Sequence, residues 1–238
     1  MSTMYRLVFA ANLVLASNAV LAATSFDANA QFDTGSNPSQ SNGWSYGYSN
    51  SLDGSFTLLS AKYTINSQFQ GWQYANSVYY PDITKNTSAS DYINTPAKGF
   101  IPKGALTFAG GQGISAGLLP IIRWSAVQSG TYSLNAVFTG VWDHEDSSGM
   151  VNILKNGVSI FDEAINRQST SSFTGNVTLA IGDHLDFSVK ADGSNLWVRS
   201  IIAAHVSPVP EPSTSILLLV GLVSIAGVYS RLRMSGSR

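Results

Sequence analysis

The stretch Ile122-Arg-Trp-Ser-Ala-Val-Gln-Ser-Gly-Thr-Tyr-Ser-Leu-Asn-Ala-Val-Phe138 decides the fold. Ile122, Trp124 and Ala126 alternate with polar positions, Gln128-Ser129-Gly130 interrupts the run, and Tyr132, Leu134, Ala136 and Phe138 resume it. A period of two residues puts one set of side chains on one face of a strand, so both arms read as strands with a single buried face. Working outward, Val151 and Ile153 lead into Asn156-Gly157, a strong short-range hairpin signal, and the chain returns through Val158 and Ile160. Val177, Leu179 and Ile181 run into Gly182-Asp183, and Leu185, Phe187 and Val189 continue beyond. Half-buried strands with turn signals about every ten residues predict an all-β, jelly-roll-like β-sandwich. The looser segment from Ser25 to Gly117 is expected to add strands and long loops.

Composition narrows the class. The 238-residue chain has a net charge of −1 and only 11% charged residues, so it has no basic field for a phosphate backbone, and nucleic acid is excluded as a partner. It contains no cysteine, which removes disulfides, thiol nucleophiles and thiolate metal sites. Stability must come from burial.

The two ends differ from the middle. Arg6, the apolar run Leu7 to Leu21, and small residues at Ala22 and Ala23 read as a secretory signal peptide over 1–23. At the other end Pro210-Glu211-Pro212 precedes the apolar run Ile216 to Tyr229, followed by Arg231, Arg233 and Arg238 with no acidic residue among them. The prolines favour an extended approach, and a helix over 213–230 would reach about 27 Å, enough for the hydrocarbon core of a bilayer. The arginines would hold the terminus in the cytoplasm and leave the domain over 24–207 outside.

This tail, over 208–238, resembles the PEP-CTERM sorting signal. The resemblance implies an exported protein, a transient inner-membrane anchor, and removal of the tail by an exosortase after passage through the secretion machinery. It further implies delivery to the cell surface or extracellular matrix, in systems commonly encoded with exopolysaccharide synthesis. Asn42-Gly43-Trp44-Ser45-Tyr46-Gly47-Tyr48 resembles a block of other PEP-CTERM proteins. The run from Arg123-Trp124 through Gly130-Thr131-Tyr132, with Asn156-Gly157 and Gly182-Asp183, is similar to the second half of carbohydrate-binding-module-like jelly rolls.

Trp44, Tyr46 and Tyr48 share a strand face, as do Trp72 and Tyr74, and flat aromatic rings of this kind can stack on sugars, with exopolysaccharide the expected ligand. The competing reading is core packing, since aromatics contribute large buried area. Gly113-Ile114-Ser115-Ala116-Gly117 fits a hydrolase nucleophile pattern, with acids at Asp143, Asp162 or Asp183 and histidines at His184 or His205 downstream. That pattern needs a helix after the serine, whereas Leu118-Leu119-Pro120 runs into a strand, so a non-enzymatic protein is expected and Ser115 hydrolysis stays the alternative, beside a purely structural matrix component. Asp143-His144-Glu145-Asp146 offers oxygen ligands for calcium, but a solvated loop tip accounts for it better. His144, His184 and His205 are too few and scattered for zinc, so no metal or cofactor is expected.

Overall fold

The computed structural model describes residues 24–65, 67–74, 81–94, 99–110, 117–141, 148–192 and 198–210. The signal peptide over 1–23 and the membrane helix over 213–230 lie outside them. Every regular element among the described residues is a strand. In chain order these are β1 (Phe26–Asp27), β2 (Trp44–Ser49), β3 (Thr57–Leu58), β4 (Ala61–Ile65), β5 (Phe69–Gln73) and β6 (Asp82–Asn86). Then come β7 (Tyr92–Asn94), β8 (Gly99–Ile101), β9 (Leu106–Ala109), β10 (Leu119–Ser125) and β11 (Gly130–Gly140). The last five are β12 (Ser148–Lys155), β13 (Val158–Asn166), β14 (Thr170–Leu179), β15 (His184–Ala191) and β16 (Arg199–Pro208).

Two antiparallel sheets face each other. Sheet A has the order β14-β11-β16-β9-β6-β5-β4, with the short β1 pairing the far end of β16 beside β9. Sheet B runs β13-β12-β15-β10-β2-β3, and β7 and β8 form a separate ribbon. The Gln128-Ser129-Gly130 turn carries the chain from sheet B into sheet A, and Gly182-Asp183 carries it back, so neither joins hydrogen-bonded neighbours. Of these three turns only Asn156-Gly157 closes a hairpin between hydrogen-bonded neighbours. There both residues have positive φ, 51° and 80°, which matches the twist of the strands it joins.

The alternation seen in the sequence fills the space between the sheets. Ile122 and Trp124 of β10, Leu185, Phe187 and Val189 of β15, and Val151 and Ile153 of β12 point inward from sheet B. Tyr132, Leu134, Ala136 and Phe138 of β11 and Ile202, Ala204 and Val206 of β16 meet them from sheet A. Trp124 is the hub, its ring 5.0 Å from Phe26 and 5.1 Å from Tyr132. Gly43 makes room for it: a Cβ there would lie 2.7 Å from the Ser125 carbonyl oxygen, and its φ of 77° also favours glycine. The expected inward Val158 is instead 68% exposed: it pairs with Lys155 on the last rung of the β12–β13 ladder, directly after the Asn156-Gly157 turn, at the end of the sandwich.

The outer face of sheet A is also covered in part. The β7–β8 ribbon lays Tyr92 and Ile101 over Phe69, Val141 and Ile201, and buried Asn86 anchors it by donating to the carbonyls of Ile101 and Pro102. On the same face Arg199 donates to Asp82 Oδ2 at 2.8 Å and to Thr107 Oγ1 at 2.8 Å. Asp82 is 1% exposed, and its second oxygen, Oδ1, has no hydrogen-bond donor. Burial therefore outweighs the Arg199 charge and raises the Asp82 pKa.

Two consequences can be measured. Trp124→Ala should lower the unfolding free energy in urea by about 3–5 kcal/mol, the usual cost of emptying a buried tryptophan site. For Asp82, the folded protein holds a proton more tightly than the unfolded chain, so its contribution to stability falls as pH rises above the ordinary value of 3.8. The wild type should therefore lose stability relative to Asp82→Asn as pH is raised from 4 towards 7, by at most about 1.4 kcal/mol per pH unit. Urea midpoints of both proteins across that range decide it, and a wild type that gains on the variant would reverse the sign.

Candidate functional site

The aromatic residues singled out in the sequence divide by depth. Trp44 and Tyr46 on β2 are fully buried, and Trp72 on β5 is 5% exposed. Their polar tips are satisfied inside: Trp44 Nε1 donates to Gln31 Oε1 at 3.0 Å and Trp72 Nε1 to the Asp33 carbonyl at 2.8 Å. Tyr46 accepts from the Asp33 amide at 3.3 Å and packs edge-on against Phe32, and burial raises its pKa. A sugar ring needs an open aromatic face, and these three have given theirs to the core.

Tyr48 and Tyr74 are different. Tyr48 lies near the end of β2, opposite Pro120 at the start of β10, and Tyr74 follows β5 directly, donating its amide to the Pro81 carbonyl. Both are half-buried, and their rings meet edge-to-face at 5.0 Å and 81°. Such a T-shaped pair fixes both rings while leaving part of each open to solvent. Beside them at the same end of sheet A sits the Asp82–Arg199 pair, since Gln73 is opposite Asp82, Asp82 opposite Ala109, and Ala109 opposite Arg199.

A second polar cluster occupies the outer face of sheet B. Arg123 of β10 clasps Asp186 of β15 with two bonds, Nε to Oδ1 at 2.7 Å and Nη2 to Oδ2 at 2.8 Å. The Phe56 ring caps the guanidinium at 4.1 Å, and His184 Nε2 is 3.7 Å from Asp186 Oδ2. Burial lowers the His184 pKa despite the Asp186 carboxylate, which keeps the ring a neutral neighbour. Next to the pair, Asn152 donates to Asp162, while Asn152 Oδ1 and Ser188 Oγ are buried without partners. A bidentate ion pair capped by an aromatic ring pins β10 to β15, and it presents no nucleophile–base relay.

Neither cluster was legible beforehand. Arg123 and Asp186 are 63 residues apart and Arg199 and Asp82 are 117 apart, so only strand pairing brings them together. Ser115 and Asp143-His144-Glu145-Asp146 lie outside the described residues, and among the described residues no group of three His, Asp or Glu side chains could hold a metal ion. Asn86, first residue of a glycosylation-type triplet, is buried with its side-chain amide engaged on carbonyls, so it offers no acceptor to solvent.

The chain leaves the sandwich at Pro208. Its neighbour Val209 donates to the Thr131 carbonyl at 2.8 Å, and Pro210 is exposed, while Glu211, Pro212, Arg231, Arg233 and Arg238 lie outside the described residues.

No curated protein matches the chain. Among solved structures, the CBM36-1 domain of a multidomain xylanase from the hindgut metagenome of Trinervitermes trinervoides is 15% identical with a TM-score of 0.33, covering 54% of this chain and 98% of that one. The mannan binding module from Man5C is 19% identical at TM-score 0.28, covering 56% and 100%. Rabbit GITRL is 13% identical at TM-score 0.28, covering 39% and 75%. All three likenesses are distant. The match that identifies something is at the C-terminal end, where residues 208–233 fit the PEP-CTERM protein-sorting motif. The segment that begins where β16 ends is therefore a PEP-CTERM protein-sorting motif.

Proposed function

We propose that the protein is a non-enzymatic component of the bacterial surface or extracellular matrix, held briefly in the inner membrane by residues 213–230 and released when an exosortase removes the tail. The observation that carries this reading is the sorting motif over 208–233, joined directly to the last strand of the sandwich. Its three parts have separate tasks. The apolar span stops transfer, the arginines set orientation, and Pro210-Glu211-Pro212 supplies an extended, recognisable segment that a plain anchor does not need. In this reading the sandwich holds exopolysaccharide through Tyr48 and Tyr74. Support comes from their partial exposure, their fixed edge-to-face geometry, and their position at the end away from the chain exit.

Replacing Pro210, Glu211 and Pro212 together by alanine should leave insertion intact but trap the chain in the membrane with its tail attached. In wild-type protein recovered outside the cell, mass spectrometry should find no peptide covering 217–228. Intact tail on correctly delivered protein would overturn the processing step.

The sugar reading has its own test. Tyr48→Ala with Tyr74→Ala should cut retention on exopolysaccharide from the host by roughly tenfold, about 1.4 kcal/mol, in line with loss of aromatic contacts. Because both rings also touch the core, each variant is checked for an unchanged urea midpoint. Retention that survives the double substitution in folded protein would leave a structural matrix component with no sugar site at these tyrosines.

A further inference from the structure

The end of the sandwich where the chain leaves is built differently from the rest of its surface. Three turns meet there: 126–130 between β10 and β11, 156–157 between β12 and β13, and 180–183 between β14 and β15. They are stitched together. Ala126 donates to the Asp183 carbonyl at 2.8 Å and Gly182 to the Ala126 carbonyl at 2.9 Å. Ile181 N–H donates to Ser129 Oγ, and Asn156 Nδ2 donates to Asp183 Oδ1, each at 2.9 Å. His184 N–H returns a bond to Asn156 Oδ1, so each turn is held by another.

This rigid end carries Val127, Val158 and Ile181 at 50%, 68% and 70% exposure, three of the seven exposed large apolar side chains among the described residues. Scattered apolar residues on a surface are ordinary, but three on adjoining turns whose polar groups are satisfied form a directed face. Its local charge balances, with Lys155 engaged on the Thr178 carbonyl and Asp183 engaged by Asn156.

The occupant follows from where the chain goes. Pro208 pairs with Tyr132 and Val209 with Thr131, so β16 ends beside the 126–130 turn, and Ser207 reaches Ser25 at 3.3 Å, which brings the start of the domain to the same end. From Val209 only Pro210, Glu211 and Pro212 precede the membrane helix expected over 213–230, and three residues span about 10 Å at most when extended. The 126–130 turn adjoins Thr131, the last partner of the exiting strand, and the hydrogen bonds above tie the other two turns to it, so all three lie at the end where the chain leaves.

We infer that this turn end docks on the lipid surface while the chain is anchored, with Val127, Val158 and Ile181 entering the headgroup layer. The inference rests on the reading that 213–230 enters the bilayer. It sets the sandwich upright, with the Tyr48–Tyr74 end turned away from the membrane and free for other contacts.

The chain has no cysteine, so single probes are clean. Full-length Val127→Cys, Val158→Cys and Ile181→Cys, with Thr170→Cys at the opposite end of β14 as reference, are labelled with an environment-sensitive fluorophore. They are reconstituted into phosphatidylethanolamine–phosphatidylglycerol vesicles whose headgroups carry nitroxide. Quenching at the three turn positions should exceed that at position 170 by roughly threefold or more, as expected for side chains seated at the headgroup boundary. A chain that fails to float with the vesicles overturns the anchoring reading and this one with it. A chain that floats but shows equal quenching at all four positions overturns only the docking. Turn probes shielded from an aqueous quencher yet untouched by the nitroxide lipid would report a protein contact, and would also overturn it.

Discussion

Trp124 sits where Phe26, Tyr132 and the Gly43 backbone converge, and the packing of that one indole couples both sheets to the N-terminal strand. In a chain with no cysteine the two sheets are held by buried side chains, and this indole is among the largest of them. The indole also explains the neighbouring sequence. Tyr132 must reach it from sheet A with its hydroxyl satisfied, which it does by donating to the Gln128 carbonyl inside the turn that precedes it. The turn thus fixes the ring, and the ring fixes how β11 lies over β10.

Charge is used sparingly and away from this slab. Arg123–Asp186 and Arg199–Asp82 both lie on outer faces, one per sheet; the first joins the neighbours β10 and β15, while the second reaches from β16 across β9 to β6 and so fixes β9 between them. Pairs this dry cost desolvation and give back little net stability, so their main effect is to specify which strands sit side by side. The two differ in completeness. Asp186 receives two guanidinium bonds, whereas Asp82 keeps one oxygen without a donor, and its burial raises the Asp82 pKa.

Alternation told which residues of β10, β11, β12 and β15 face inward, because burying one face of a strand imposes that period directly. It did not tell which strand pairs with which. The Gly130 and Gly182 turns look like hairpin turns in sequence, yet they pass between sheets, since turn chemistry specifies a reversal and leaves the partner open. Val158 escaped for another reason: it shares the parity of inward Val151 and Ile153 through its partner Lys155, but sits on the last rung before the turn, and a period of two does not mark where cover ends. The aromatic stripe on β2 was ambiguous by nature, as a stripe suits a platform and a core equally. Burial resolves it within a single strand, with Trp44 and Tyr46 sealed and Tyr48 at the rim. The sorting motif was legible outright, because its parts act through composition and order rather than through folding.

That contrast bears on how the two halves of the molecule cooperate. A sorting signal read as an extended peptide must not be drawn into the domain it follows. Val209 donates the last backbone bond of the described chain, to Thr131, and Pro210 and Pro212 then supply no amide for further pairing along β11. The prolines so limit the strand from growing into the tail, and they do it within three residues of the last bond. The domain consequently ends abruptly at one defined corner, the corner that also carries the tied turns and the start of β1. Placing the two ends of the sandwich and the exposed apolar turns at that corner leaves Tyr48, Tyr74 and the Asp82–Arg199 pair at the opposite end, far from the point where the described chain leaves the sheet.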